Sequence, residues 1–167
     1  MESMNNSSKL IVSDTGPLIS WSRAGYVPLL RKLLPGLVVP MAVVVELNKP
    51  GRPGADLLLE GSWLSGRILP PSALLTGFPG LLGPGERQAI SLAVHLGADY
   101  ILMDDGRAVA EAKSRGIEAL RTLRLLGQAK RTGVVSLVKP ILDDFARADF
   151  WLAESVRQAF LASIGEV

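Results

Sequence analysis

The side chains best placed to do chemistry are acids at the ends of apolar runs. Asp14 follows residues 9–13 (KLIVS), and Asp104 with Asp105 follows residues 100–103 (YILM). Glu86 opens the amphipathic stretch 86–96 just before the second run, and Glu46 stands near the end of 41–47. If the two runs are neighbouring parallel strands, both ends lie on one sheet edge and these carboxylates converge. Two like charges ~4 Å apart repel by about 4 kcal/mol at an effective dielectric of 20. Four or five such groups must then take up protons or surround a cation. With no cysteine and His95 as the single histidine, any metal site is built of oxygen, which favours Mg²⁺ or Mn²⁺. Divalent ions among carboxylates serve phosphoryl chemistry by activating water and stabilising a leaving oxygen.

Each acid also has a plainer use. Asp14 could cap the helix expected from Pro17, and Asp104 or Asp105 the helix that follows them. Glu86 suits the positive end of a helix dipole, and Glu46 could be a solvated helix acid. The joint placement, rather than any one residue, carries the metal reading.

The elements that must position these acids alternate. Strands are expected at 9–13, 37–40, 100–103 and 117–120, with a short edge strand at 67–69. Helices are expected at 17–23, 26–34, 41–47, 55–63, 86–96, 107–115, 122–131, 136–146 and 152–164, punctuated by Gly25, Gly116 and Gly133. The helix 41–47 is expected despite its valines because Pro40 starts it. Residues 48–54 (NKPGRPG) and the Gly- and Pro-rich 76–85 read as loops. Such alternation implies an α/β fold: a three-layer α/β/α arrangement around a mostly parallel sheet of about four to five strands.

Composition agrees. A chain of 167 residues fits one domain of ~100–200 residues, expected over 9–167 after a flexible lead-in at 1–8. The absence of cysteine suits a reducing cytoplasm. The N-terminus MESMNNSSK has no apolar stretch of the kind a secretory signal needs, and Pro35 and Pro40 interrupt the greasy segment 33–47, so no membrane span is expected. The net charge of +2 neither requires nor excludes a nucleic-acid partner.

Four segments, in this order, resemble the motifs of PIN domains. SDTGPLI carries Asp14, VVPMAVVVEL carries Glu46, GPGERQAISLA carries Glu86, and GADYILMDDGRA carries Asp104 and Asp105. The likeness spans nearly the whole chain and is strongest to a branch of small prokaryotic PIN-like proteins with a paired Asp after the fourth motif's strand. It implies a Mg²⁺- or Mn²⁺-dependent endoribonuclease, often the toxin of a toxin–antitoxin module, with RNA as substrate, a small antitoxin as partner and a homodimer as the common assembly. It implies Asp14, Glu46, Glu86 and Asp105 as catalytic, metal-binding acids, Asp104 as a further ligand or an acid behind the ligands, and Thr15 as a hydroxyl that orients Asp14 or a water. The chain departs from the branch where Val109 replaces a basic residue and where Arg121 and Arg124 stand beside Thr122.

Arg107, Arg121 and Arg124, within a basic second half, are candidates to hold RNA phosphates; solvated helix faces are the alternative. Trp21, Trp63 and Trp151 are too scattered for a stacking platform, and His95 is expected to be structural. Three rivals stand beside the ribonuclease: a degenerate PIN fold that binds without cutting, a DNA-directed nuclease, and a signalling receiver domain, whose acid pair would come early rather than late.

Overall fold

The computed structural model describes residues 9–59 and 61–167; the lead-in expected at 1–8 lies outside them. Five strands, β1 (Ile11–Ser13), β2 (Leu37–Pro40), β3 (Leu64–Arg67), β4 (Tyr100–Leu102) and β5 (Glu118–Leu120), form one sheet in the order β3-β2-β1-β4-β5. Every pairing is parallel. β1 is therefore central, with Ser13 opposite Leu102 of β4, and the chain's direction across the sheet reverses between these two strands. In a parallel sheet the cleft outside the carboxyl ends at that reversal is where ligands bind.

Eight helices connect and cover the strands: α1 (Thr15–Ala24), α2 (Val27–Leu33), α3 (Met41–Leu47), α4 (Pro84–Leu96), α5 (Gly106–Ser114), α6 (Thr122–Arg131), α7 (Lys139–Arg147) and α8 (Glu154–Ser163). Because strand side chains alternate, Val12, Ile101 and Met103 face one core with Ala89, Ile90 and Ala93 of α4 and Ala108 and Ala112 of α5. Ile11, Val39, Leu102 and Leu120 face the other, with Leu18 and Trp21 of α1, Leu30 of α2, Leu125 of α6 and Phe145 of α7. These are the three expected α/β/α layers. On the second face Phe145 is a hub: its ring meets Trp21 edge-on at 5.2 Å and Phe150 at 5.4 Å.

The structure departs from the sequence reading where glycine or burial overrides pattern. Residues 55–63 do not form one helix. They make two short 3₁₀ turns, Ala55–Leu59 and Gly61–Trp63, with Gly61 in the left-handed region (φ 72°) where they meet. The edge strand lies at Leu64–Arg67 rather than 67–69. Leu64 is the residue that turns inward, whereas Ile68, within the expected span, is 81% exposed. Helix α7 begins at Lys139, later than expected, with Pro140 in its first turn. No helix among the described residues is long and apolar enough to cross a membrane.

The chain's end is tied into the α7 layer by a buried acid. Glu166 accepts hydrogen bonds from the Val138 and Lys139 backbone N–H groups and from Lys130 Nζ at 2.8, 2.7 and 2.6 Å. Burial pushes its carboxyl up, but the lysine and the two N–H groups outweigh it and hold the pKa below the ordinary glutamate value. A depressed folded-state pKa contributes stability above the unfolded pKa and loses it as pH falls through the folded one. Glu166→Gln should therefore cost about 2 kcal/mol at pH 7 and much less at pH 3, read by urea unfolding at both. An equal loss at the two pH values would show that the charge is not what matters.

Candidate active site

Asp14 leaves β1 at the reversal point, where its own N–H is spent on Leu102 O (3.0 Å). It occupies the N-cap position of α1, yet its side chain makes no cap hydrogen bond. The Thr15 and Gly16 N–H groups at the start of α1 nevertheless lie near enough to act on its charge. The carboxylate is 7% exposed and lines a cavity of about 420 Å³ together with Thr15, Gly16, Ile19, Glu46, Arg52, Leu81, Gly83, Gly85 and Glu86. Burial is the largest influence on Asp14. The N–H groups of Thr15 and Gly16 pull its pKa back, while the charges of Glu86 and Glu46 raise it further, and the result is about 7.

The two glutamates reach this cavity by different routes. Glu46 rides on α3, the short helix that β2 feeds directly at Pro40. Its carboxylate lies flat against Gly85, so close that a Cβ there would stand 3.2 Å from Oε1. Gly85 is thus the residue that lets α3's acid rest on the first turn of α4. Glu86 is the third residue of α4, and its Oε2 accepts the Gly83 N–H at 2.8 Å, which leaves the other oxygen available. Thr15 completes the set: its Oγ1 is buried and has no hydrogen-bond partner. A buried hydroxyl left unsatisfied costs roughly 1–3 kcal/mol, so a water or ligand oxygen would find a ready partner there.

Asp104 and Asp105 stand apart from this cavity's lining. Asp105 caps α5, with Oδ1 accepting the N–H groups of Arg107 (2.9 Å) and Ala108 (3.0 Å). Asp104 is committed to Thr122 at the start of α6: Oδ1 takes the backbone N–H (2.8 Å) and Oδ2 the hydroxyl (2.6 Å). The Thr122 oxygen in turn accepts Trp21 Nε1–H at 3.0 Å. Burial holds Asp104's pKa above the ordinary carboxylate range despite these bonds and the nearby Arg121. Trp21, Thr122 and Asp104 thus tie α1, α6 and the end of β4 together behind Asp14.

The expected phosphate contacts are distributed unevenly. Arg121 donates to Asp104 O (2.9 Å), and Arg124 pairs with Glu118 and lies 5.6 Å from the Tyr100 ring centre. Arg107 is exposed at the start of α5. Sequence reasoning passed over Arg52, Gly85, Ile19 and Leu81. The signals were present for two of them: a lone basic residue in the loop after the Glu46 helix, and a glycine immediately before Glu86.

An all-oxygen donor set of Asp14, Glu46 and Glu86 suits a hard divalent cation. The unpartnered Thr15 hydroxyl and the mutual repulsion that raises Asp14 are both features that a cation with its waters would relieve. Among the described residues no three such side chains stand together in a geometry that holds a metal ion.

Residues 10–166 match the model of the family DUF3368, described as a PIN domain. The chain is similar to a solved PilT N-terminus domain protein from the hyperthermophilic archaeon Sulfolobus solfataricus P2, at 17% identity over 87% of this chain and 98% of that one, with a TM-score of 0.49. No curated protein matches it significantly.

Two measurements probe this geometry. Asp14's raised pKa favours the metal-free fold at low pH and opposes it as pH rises towards 7, by on the order of 4 kcal/mol in full. Asp14→Asn should therefore stabilise the metal-free protein at pH 8 far more than at pH 4, and an equal effect would mean that Asp14 is not held protonated by its surroundings. Thr122→Val removes the hydroxyl's bonds to Asp104 Oδ2 and Trp21 while leaving the backbone N–H bond to Asp104 Oδ1, and should destabilise by roughly 1–3 kcal/mol; an unchanged urea midpoint would show those hydroxyl bonds contribute nothing.

Proposed function

The chain belongs to the PIN-domain family, and on that premise we propose that it is a metal-dependent nuclease that hydrolyses RNA phosphodiester bonds. The observation that carries this reading is the cavity at the carboxyl end of the central strand. There three acids from separate parts of the sequence, Asp14, Glu46 and Glu86, line one pit beside a buried, unpartnered hydroxyl. Such a pit has little use for an apolar ligand, and its charge is tolerable only when protonated or neutralised.

Asp14, Glu46 and Glu86 would hold Mg²⁺ or Mn²⁺. When bound, such an ion supplies Lewis acidity to a phosphoryl oxygen and lowers the pKa of water. The chain's own residues do the positioning. Gly83 N–H fixes one oxygen of Glu86, so its other oxygen has a defined direction. Gly85 sets the approach of Glu46. Thr15 offers its hydroxyl to the attacking water or to a phosphate oxygen. In hydrolysis the water oxygen joins phosphorus, the bond from phosphorus to the 3′ oxygen breaks, and that oxygen leaves with a proton.

Asp105 keeps one carboxylate oxygen outside its capping bonds and could add a ligand from the neighbouring strand end. Asp104, with both oxygens engaged by Thr122, acts instead as a brace. The further assignment to the toxin of a toxin–antitoxin pair, with a small antitoxin and a homodimeric assembly, rests on the resemblance of the four motifs to the small prokaryotic PIN-like branch. The engagement of Asp104 and Asp105 in structural bonds is the observation that favours a second reading, a PIN fold that binds RNA without cutting it.

A cleavage assay on single-stranded RNA with and without Mn²⁺ separates them. Wild type should cut only with the ion, Asp14→Ala and Glu46→Gln should lose roughly a hundredfold or more in rate, and Mn²⁺ should raise the melting temperature of wild type but not of Asp14→Ala. Absence of both cleavage and stabilisation by Mn²⁺ would overturn the nuclease reading and favour the binding protein; cleavage that needs the ion would overturn the binding-only reading.

A further inference from the structure

We propose that Arg52 and Leu81, one from each of two loops bordering the acidic cavity, hold an unpaired RNA strand across it, with Arg52 on a backbone phosphate and Leu81 against a base or sugar of the same strand. This rests on the nuclease reading above and narrows its substrate to single strands.

Arg52 lines the same cavity as Asp14, Glu46 and Glu86. A cation among three carboxylates ordinarily pairs with one of them, yet the Arg52 side chain forms no ion pair or hydrogen bond among the described residues. Of the cations expected to serve RNA, Arg121 and Arg124 contact Asp104 O and Glu118, Arg107 is exposed at the start of α5, and none of the three lines this cavity. The loop carrying Arg52 is restrained. Pro50 and Pro53 flank it, Gly51 and Gly54 turn it through left-handed backbone (φ 75° and 99°), and a Cβ on Gly54 would stand only 3.0 Å from the Leu47 side chain. The restrained loop fixes where the Arg52 side chain leaves the backbone, and its planar guanidinium fork matches phosphate.

Leu81 comes from the loop that precedes α4. It is 72% exposed although its neighbour Leu82 is buried. The loop does not offer Leu81 by being slack. Arg115 lies 4.5 Å from the Phe78 ring centre and donates to Thr76 O (2.9 Å), and Arg87 Nε donates to Leu82 O at 2.9 Å. An exposed leucine held at the lip of a charged pit, with Ile19 beside it in the lining, offers apolar surface next to the acids. A strand that is to use both contacts must turn a base face or sugar outward while its phosphate reaches Arg52. Unpaired nucleotides can do this, whereas a duplex keeps its base faces stacked inside.

The test is fluorescence anisotropy with a short labelled RNA, single-stranded or annealed to its complement, in Ca²⁺ across a salt series. Wild type should bind the single strand more tightly. Arg52→Gln should weaken that binding about tenfold and lower the salt slope by about 0.7, the share of one phosphate contact on a single strand. Leu81→Ser should weaken single-strand binding with the slope unchanged, narrowing the gap to the duplex. Both variants should keep the wild-type rise in melting temperature with Mn²⁺, because the acids are intact. Wild-type affinity and slope in Arg52→Gln would overturn the phosphate contact, and an unchanged preference in Leu81→Ser would overturn the single-strand assignment, while Mn²⁺ stabilisation and cleavage left the nuclease reading standing. A wild type that neither responds to Mn²⁺ nor binds RNA would overturn the nuclease reading and this inference together.

Discussion

Asp14 is a carboxylate buried at the end of the central strand, facing two other acids across a shared cavity. Burial and like charge both oppose its ionisation, and together they hold a proton on it near neutrality. That unfavourable arrangement is maintained by everything around it. β1 lies between β2 and β4, so the Asp14 backbone has no freedom to withdraw, and α1 begins at once and carries Trp21 into the core. Under the proposed function this is where a cation would gain most, because it would replace repulsion with attraction at the same position.

The topology explains how distant residues share the pit. In the order β3-β2-β1-β4-β5 the chain moves outward from β1 in one direction and then restarts on its other side. Glu46 arrives from the first half, on the short helix after β2. Glu86 arrives from the connection that returns to the middle of the sheet, on the first turn of α4. The two meet because Gly85 has no side chain to keep α3's acid away. The same reversal sets the end of β4 next to the end of β1, but there the paired aspartates turn to other work. Asp105 satisfies the first turn of α5, and Asp104 fastens Thr122 and, through it, Trp21. Acids at one sheet edge thus divide into those that face the cavity and those that hold up its wall.

Much of this was legible in the linear pattern. Residues 37–40, 41–47 and 122–131 fold over the expected spans: Pro40 marks the turn from strand to helix despite the valines that follow, and Gly133 closes the last helix. The early strand, the YILM strand and the helix from 86 to 96 were equally plain, since each has an unbroken apolar run or stripe. The failures have local causes. Gly61 splits what reads as one helix, and the edge strand expected at 67–69 lies at Leu64–Arg67, because apolar content cannot say which residue of an edge strand turns inward.

For the site, residue type and order alone determined the chemistry on offer: oxygen donors, no thiolate, a lone histidine, and acids placed just after strands. Those follow from composition and from the rule that strand ends in an α/β pattern share an edge. Only the tertiary structure decided which acids meet. Asp14, Glu46 and Glu86 face one cavity, while Asp104 spends both oxygens on Thr122 and Asp105 one oxygen on the α5 N-terminus. It also decided that Arg52 and Leu81 border that cavity while Arg121 and Arg124 are otherwise engaged. The reason is that side-chain direction depends on helix phase, backbone turn and the hydrogen-bond partners available in space, none of which is written in sequence spacing.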